Sequence, residues 1–157
     1  MATKKDAIGL LKQDHETVRG LLKELERAAS KDGAKQEKLL REIESELRVH
    51  TKIEEEIFYP AFKASVSKKE DVKLYYEAVE EHHVVDLVLP EIRKIEPGSP
   101  EFAAKVKVLQ DLVEHHAEEE EGEMFPRARK AMDKGQLQSL AEELGRRKSE
   151  LAEEMEE

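Results

Sequence analysis

The stretch His50–Pro60, HTKIEEEIFYP, places a histidine four residues before Glu54 and ten residues before a proline. The stretch His116–Pro126, HAEEEEGEMFP, repeats this arrangement with Glu120 in the place of Glu54. Residues four apart share one face of an α-helix, so each stretch presents an imidazole and a carboxylate side by side. An arrangement that occurs twice at the same spacing predicts a structural unit that is built twice.

The composition favours a helical domain with a strongly acidic surface. Of 157 residues, 41% are charged, and the chain has only 7 Gly and 5 Pro. A net charge of −10 disfavours nucleic acid and anionic membrane as partners. The absence of cysteine excludes disulfides and thiolate metal sites. No apolar run approaches the roughly 20 residues of a membrane span. We therefore expect a cytoplasmic protein that is a monomer or a homodimer.

Apolar residues recur at helical spacing in four segments that are separated by turn sequences. Ser99 and Pro100 suit the N-cap and the first position of the fourth segment. No alternating pattern indicates a strand. We predict an all-α fold, an up-down-up-down four-helix bundle over residues 1–132. The predicted turns are SKDG at 30–33, SVSKKED at 65–71 and EPGSP at 96–100.

Three features lie outside the regular bundle pattern. Pro90 falls inside the third helix and is expected to kink it or to force a local break, and Pro60 is expected to end or kink the second helix. Residues 133–157 form a further amphipathic segment. We expect this segment to be a helix that packs over the bundle end, and a contact between two copies of the chain is the alternative. Its apolar residues are Leu137, Leu140, Leu144, Leu151 and Met155.

Each predicted bundle helix has one histidine within its apolar stripe. Glu54 and Glu120 continue the stripes of the second and fourth helices. Burying such groups without partners costs on the order of several kcal/mol, so they need a common explanation. A metal centre supplies one, because a cation pairs with carboxylates and uses the imidazole lone pairs. The histidines are His15, His50, His82 and His116.

The spacing of these histidines along the chain predicts that they lie in one layer. Two residues of an antiparallel helix pair are level when the midpoint between them falls in the turn. The midpoints of successive histidines fall in the three predicted turns. Two hairpins related by an approximate two-fold axis would then build the site. A pair of metal ions, with one bridging carboxylate from each half, suits that symmetry.

Two further histidines adjoin this layer. His115 also has a glutamate four residues on, but His116 fits the apolar stripe and the spacing to the proline better. His83 fits less well than His82 for a similar reason. We expect His115 and His83 to flank the site.

Asp86 and Tyr75 lie on the same helical stripe as His82. Asp86, four residues after His82, is either an additional metal ligand, an acceptor that holds an imidazole, or a polar residue at a helix margin. Tyr75, seven residues before His82, is by default a core aromatic residue, and its hydroxyl could point toward the centre.

The pattern His15 … His50-x-x-x-Glu54 … His82 … His116-x-x-x-Glu120 resembles the hemerythrin-like, HHE cation-binding family. The resemblance covers the first four predicted helices. It implies a four-helix bundle that holds a non-haem, oxo- or hydroxo-bridged di-iron centre. Glu54 and Glu120 would be the bridging carboxylates, and the four histidines the terminal ligands. Carboxylate and imidazole ligands suit two iron ions better than zinc, with Mn or Zn as possible replacements.

The resemblance has one departure. The oxygen-carrying hemerythrins have a second histidine four residues after the third-helix ligand, where this chain has Asp86. A more open or more anionic site should favour Fe(III) and admit peroxide, nitric oxide or water. We therefore expect a di-iron protein that binds or reacts with O2, peroxide or NO, in defence or sensing, and whether it is an enzyme stays open. The alternatives are a non-catalytic iron-binding or iron-handling module and, third, reversible O2 storage.

Overall fold

The computed structural model describes residues 5–28 and 32–156, and within these residues the chain is helical with no strand. The predicted all-α bundle is confirmed. Residues 30 and 31 of the turn expected at 30–33 lie outside the described residues. None of the described helices combines the length and apolar character needed to cross a membrane. The helices are α1 (Ala7–Arg27), α2 (Gly33–Ile53), α3 (Tyr59–Ser65), α4 (Lys69–Arg93), α5 (Pro100–Glu119), α6 (Phe125–Ala131) and α7 (Lys134–Glu156).

The start of α5 follows from three adjacent residues, as the sequence predicts. Gly98 has a φ of 87°, a left-handed conformation that favours glycine. The Ser99 hydroxyl accepts a hydrogen bond from the Phe102 N–H at 3.1 Å and so caps the helix. Pro100 occupies the first helical position, where its missing N–H has no intrahelical partner to lose. These residues fix the direction in which the fourth long helix leaves its turn.

Two π-helical turns, Glu54–Phe58 and Glu120–Met124, join α2 to α3 and α5 to α6. A proline follows each turn, and its ring clashes with the carbonyl four residues earlier in a regular α-helix. The widened turn avoids that clash, and the N–H of the residue before each proline bonds to the carbonyl of Glu54 or Glu120. The helical run does not end at Pro60 but continues to Ser65, so of the two outcomes expected there, an end or a kink, the end is wrong.

The expected local break at Pro90 is also absent from the described chain. The helix α4 continues past this residue to Arg93. Pro90 is exposed and lies in the last turn of α4, so its missing N–H removes one hydrogen bond at the helix end only.

The bundle core consists of two apolar clusters with a polar layer between them. One cluster surrounds Leu11, Ile53 and Ala78, and the other surrounds Val18, Leu47 and Val85. On α1, α2 and α4 the buried histidine lies between residues of the two clusters, and His116 of α5 lies between Val113 of the second cluster and Met124 of the first. The polar layer contains His15, His50, His82 and His116 together with Glu54 and Glu120, and all six are buried.

The helix α7 packs against α1, α2 and the first π-helical turn. Leu137, Leu144 and Leu151 are buried within the same apolar cluster as Leu11. The apolar stripe of residues 133–157 therefore lies against the bundle of its own chain, while Met155 is 42% exposed.

We expect Leu144→Ala to lower the free energy of unfolding by about 2–5 kcal/mol, because it leaves a cavity at a fully buried position. Leu87→Ala is the matched control, since Leu87 is 56% exposed and should change stability by about 0.5 kcal/mol or less. Denaturant unfolding of both variants measures the difference. Equal, small effects would show that α7 does not pack on the bundle.

Candidate metal centre

The six histidine and glutamate side chains of the polar layer converge on one place. Their donor atoms form two groups that share Glu54, and the atoms of each group lie within 4.8 Å of one another. The first group combines α1, α2 and the two π-helical turns, and the second adds α4 and α5. The first group is His15, His50, Glu54 and Glu120, and the second is Glu54, His82 and His116.

Both glutamates lie between imidazoles that come from different helices. Glu54 Oε1 is 3.1 Å from His50 Nε2 and 3.1 Å from His82 Nε2. Glu120 Oε1 is 3.3 Å from His15 Nε2 and 2.9 Å from His116 Nε2. All four histidines therefore turn the same ring nitrogen, Nε2, toward the carboxylates. Each glutamate also contacts one histidine from each hairpin.

Besides His82 Nδ1, two buried atoms of this set lack a hydrogen-bond partner within the described residues. They are Glu54 Oε2 and His50 Nε2, whose 3.1 Å contact with Glu54 Oε1 does not have hydrogen-bond geometry. A buried acceptor without a donor costs roughly 1–3 kcal/mol, and more when it is charged. A metal cation satisfies both atoms at once, because it accepts electron pairs from carboxylate oxygen and from imidazole nitrogen. The residues present therefore fit a metal centre of the kind that their types predict.

Without a cation, the buried imidazole and carboxylate charges stabilise each other. Burial by itself lowers the pKa of His50, but the charge of Glu54 and the hydrogen bond to Asp14 raise it to about 10. Burial opposes ionisation of Glu54, yet the neighbouring charge of His50 holds the pKa of this carboxyl well below its usual range. The pKa of His116 is raised against burial by the charge of Glu120. A metal ion must therefore displace protons from these imidazoles.

The outer nitrogen, Nδ1, of three histidines binds a second carboxylate. A carboxylate acceptor at Nδ1 places the ring N–H there and leaves the Nε2 lone pair facing the centre. Such partners orient metal-binding histidines and increase their basicity. The pairs are His15 with Glu121 at 2.7 Å, His50 with Asp14 at 2.8 Å, and His116 with Glu81 at 2.7 Å.

His82 is held less firmly than the other three. Its Nδ1 lies 3.6 Å from Glu55 Oε1, which is too long for a hydrogen bond. This buried nitrogen has no hydrogen-bond partner among the described residues. The side chain of Glu55 is 42% exposed. The carboxylate nearest to His82 Nδ1 is therefore accessible to solvent, although His82 itself is buried.

The outer carboxylates repeat the two-fold relation of the ligands. Asp14 and Glu81 directly precede the first histidine of each hairpin, and each binds the histidine of the following helix. Glu121 and Glu55 directly follow Glu120 and Glu54. These four acids are not among the site residues predicted from sequence. Their signal was an acidic residue adjoining the first histidine and the glutamate of each hairpin.

Tyr59 is a functional candidate that the sequence analysis missed. Its hydroxyl lies 3.1 Å from His82 Nε2 and 3.2 Å from His116 Nε2. It also donates to Glu54 Oε1 at 3.3 Å or Glu120 Oε2 at 3.2 Å. Burial, reinforced by the two carboxylates, raises the pKa of Tyr59 well above its ordinary value. The phenol therefore keeps its proton at neutral pH while no cation is bound.

The π-helical turn explains why helical periodicity did not reveal Tyr59. A residue five positions after Glu54 falls on a different face of an α-helix, whereas the π-helical turn joins residues five apart by hydrogen bonds. Phe125 holds the equivalent position after Glu120, and its ring stacks on His15 at 5.9 Å. The Tyr59 ring stacks on His82 at 5.2 Å. The residues five positions after Glu54 and Glu120 therefore differ by one hydroxyl.

The structure places Asp86 and Tyr75 outside the centre. Asp86 is exposed, belongs to neither buried group, and lines a surface cavity with Glu55 and Thr51. The ring of Tyr75 packs edge-on against Tyr59 at 6.3 Å. Among the described residues, no hydrogen bond joins the Tyr75 hydroxyl to the buried groups.

The flanking histidines also lie outside the two buried groups. His83 is exposed, and the side chain of His115 is 64% exposed. His115 Nε2 lies 3.0 Å from Glu119 Oε1 and 3.4 Å from Glu81 Oε2. Through Glu81, His115 is connected to His116 without facing the centre itself.

A small enclosed cavity adjoins the centre on the side of the second apolar cluster. Its volume is about 20 Å³, which is room for about one water-sized molecule. Four imidazoles form its polar wall. The remaining lining residues are Val18, Leu47, Thr51, Val85 and Val113.

We expect Glu54→Ala to reduce bound metal to less than half of the unmodified level, because Glu54 contributes to both groups. Glu118→Ala is the control, since Glu118 is exposed on α5. Elemental analysis after gel filtration gives the metal content per chain. Equal metal content in the two variants would contradict the assignment of Glu54 to the centre.

Metal uptake by the metal-free protein should release protons, because imidazoles with raised pKa must deprotonate to bind a cation. The raised pKa of His50 stabilises the metal-free fold below pH ~6.5, and that stabilisation is lost as pH rises toward about 10. Metal affinity should change in the opposite direction and weaken as pH falls. Anaerobic addition of Fe(II) in weak buffer, followed by a pH indicator, tests this, and an unchanged pH would contradict it.

Comparisons with known proteins agree with this geometry. A family model described as the hemerythrin HHE cation binding domain matches residues 6–128. A crystal structure of a hemerythrin HHE cation binding domain-containing protein from Mycobacterium kansasii has a TM-score of 0.82 and 26% identity, and the match covers 94% of this chain and 88% of that chain.

A curated relative, a DNA nickase from Nostoc sp., is 30% identical over 142 residues. The match covers 90% of this chain but only 39% of that protein. The buried histidine and glutamate groups support a non-haem metal-binding module. Because the family model matches most of its length, the chain belongs to the hemerythrin HHE cation-binding domain family.

Proposed function

We propose that this chain holds two iron ions and binds or reacts with one small molecule of the class O2, peroxide or nitric oxide. The observation that carries this proposal is the enclosed cavity of about 20 Å³ beside the four imidazoles. Its volume is room for about one water-sized molecule, which suits a ligand of one or two non-hydrogen atoms.

The two buried groups would each hold one iron ion, with Glu54 contributing to both. His15 and His50 would serve one ion, and His82 and His116 the other, with Glu120 lying between His15 and His116. Bound iron would supply open coordination positions and electrons for a small ligand. This assignment rests on the donor types, the inward Nε2 atoms and the unpaired oxygen of Glu54.

The chain's own residues control what reaches this position. The apolar part of the cavity wall consists of Val18, Leu47, Val85 and Val113. An apolar wall favours an apolar or weakly polar molecule, and it strengthens electrostatic interactions in the cavity because the local dielectric constant is low. On the glutamate side, the Tyr59 hydroxyl holds a proton within 3.3 Å of two carboxylates and two imidazoles. We assign Tyr59 the role of donating this proton or stabilising charge at the centre.

A non-catalytic role in iron binding is the second candidate. Three of the four histidines are fixed by carboxylates on their outer side, as a permanent metal site requires. This role predicts stable iron without consumption of O2 or peroxide. The reaction of the iron-loaded protein with these molecules therefore separates the two candidates.

We do not propose a DNA-directed activity for this chain. The DNA nickase relative is much longer, because the match covers 39% of its length. A net charge of −10 opposes binding to the phosphate backbone, which proteins ordinarily bind through lysine and arginine.

The cavity predicts the effect of Val113→Ile, which adds one methylene to its wall. The variant should retain iron but react with O2 or peroxide about tenfold more slowly, a barrier change of ~1.4 kcal/mol. Val108→Ile is the matched control on α5, because Val108 is 50% exposed. Stopped-flow absorption of the diferrous protein measures the rates.

Tyr59→Phe removes the hydroxyl and keeps the aromatic ring, so it tests the hydroxyl without changing the packing. Phe125 already occupies the equivalent position after Glu120. We expect unchanged iron content and a slower reaction. An unmodified protein that holds iron but leaves O2, peroxide and nitric oxide unchanged would overturn the proposed reactivity and favour the iron-binding role.

A further inference from the structure

The outer carboxylate of His50 has a second partner from the C-terminal helix. Asp14 is only 2% exposed. Its Oδ2 accepts the hydrogen bond from His50 Nδ1 at 2.8 Å, and its Oδ1 accepts one from Lys148 Nζ at 2.5 Å. One buried carboxylate thus connects a histidine of the centre to a lysine of α7.

The packing of α7 places Lys148 at this position. Leu144 and Leu151 are buried and lie four residues before and three residues after Lys148, so all three share the inner face of α7. The side chain of Lys148 is 38% exposed, which leaves its stem against the bundle and its ammonium near Asp14. These residues lie beyond the segment 6–128 that matches the family model.

The second hairpin uses a different group at the equivalent position. Glu81 corresponds to Asp14, since it binds His116 at 2.7 Å through one oxygen. Its other oxygen lies 3.4 Å from Nε2 of His115, a residue of α5 within the bundle. Only the first hairpin therefore has its outer carboxylate bonded to α7 in the described structure.

A buried carboxylate that loses its cationic partner moves toward solvent, because an unpaired buried charge is unfavourable. His50 then loses the acceptor that fixes the orientation of its ring. The ring then no longer directs the Nε2 lone pair toward Glu54.

We propose that Lys148 is a positioning residue of the metal centre. It keeps Asp14 oriented, and Asp14 in turn holds His50 toward the group of His15, Glu54 and Glu120. The helix α7 then contributes to the metal centre of this chain through Lys148. This inference rests on the proposed metal site but not on its reactivity.

The test is the rate at which a strong chelator removes iron from the loaded protein. Loss of a partner that orients a metal ligand weakens metal binding about 10–100-fold. Because Lys148 acts through Asp14, we expect Lys148→Met to release one of two iron ions about tenfold faster. Lys148→Arg keeps the positive charge and should release iron almost as slowly as the unmodified protein.

Arg147→Met is the matched control on the same helix. Arg147 pairs with Glu56 and Glu150 at the surface. It should leave the release rate unchanged. Circular dichroism and thermal unfolding of the metal-free variants show whether each folds. A merely structural role of Lys148 would lower the stability of metal-free and iron-loaded protein equally, without faster release of one ion.

A double-mutant cycle identifies the route of the effect. Asp14→Asn should accelerate release at least as much as Lys148→Met. Adding Lys148→Met to Asp14→Asn should then change little, because the two residues act in series. Equal release rates in Lys148→Met and Arg147→Met, or additive effects in the double variant, would overturn the inference. A chain that binds iron but does not react with O2 or peroxide would overturn only the proposed reactivity.

Discussion

The structure depends on the burial of a charged carboxylate, Glu54, at the centre of a helix bundle. Glu54 is fully buried, and the charge of His50 keeps its pKa well below the ordinary value. Such a charge persists in a protein interior only when opposite charges surround it. The imidazoles supply part of that compensation, and the unpaired Oε2 atom shows where a cation would supply the rest. The polar layer that interrupts the apolar core follows from this one requirement.

The two π-helical turns bring side chains to the centre that a regular helix would direct elsewhere. Each begins at a glutamate of the buried groups and ends shortly before a proline. The proline causes the widened turn, and the turn places the residue five positions after the glutamate beside the same layer. After Glu54 that residue is Tyr59, which lies beside His82, and after Glu120 it is Phe125, which lies beside His15. A backbone irregularity set by Pro60 and Pro126 therefore determines one chemical difference between the halves.

Other departures from two-fold symmetry also distinguish the halves. In the first hairpin, Arg19 lies four residues after His15 and pairs with Glu121 at 3.0 Å. The equivalent position after His82 is Asp86, which is exposed. The first half thus has its outer carboxylates neutralised by Arg19 and by Lys148 from α7. Beside His82, Asp86 and Glu55 are exposed and acidic, so the two groups of buried donor atoms differ in electrostatic environment.

The sequence by itself determined the all-α class, the position of the polar layer and the six side chains that meet there. These follow from local rules, since helical periodicity fixes which residues share a face and the turn positions fix which residues are level. The roles of Tyr59, Lys148 and the outer carboxylates were decided by tertiary structure. Tyr59 reaches the centre only because π-helical turns change the helical phase, and Lys148 reaches Asp14 only because α7 docks on the bundle. Asp86 was also decided by tertiary structure. It shares a helical stripe with His82, but the packing of the helices leaves it exposed.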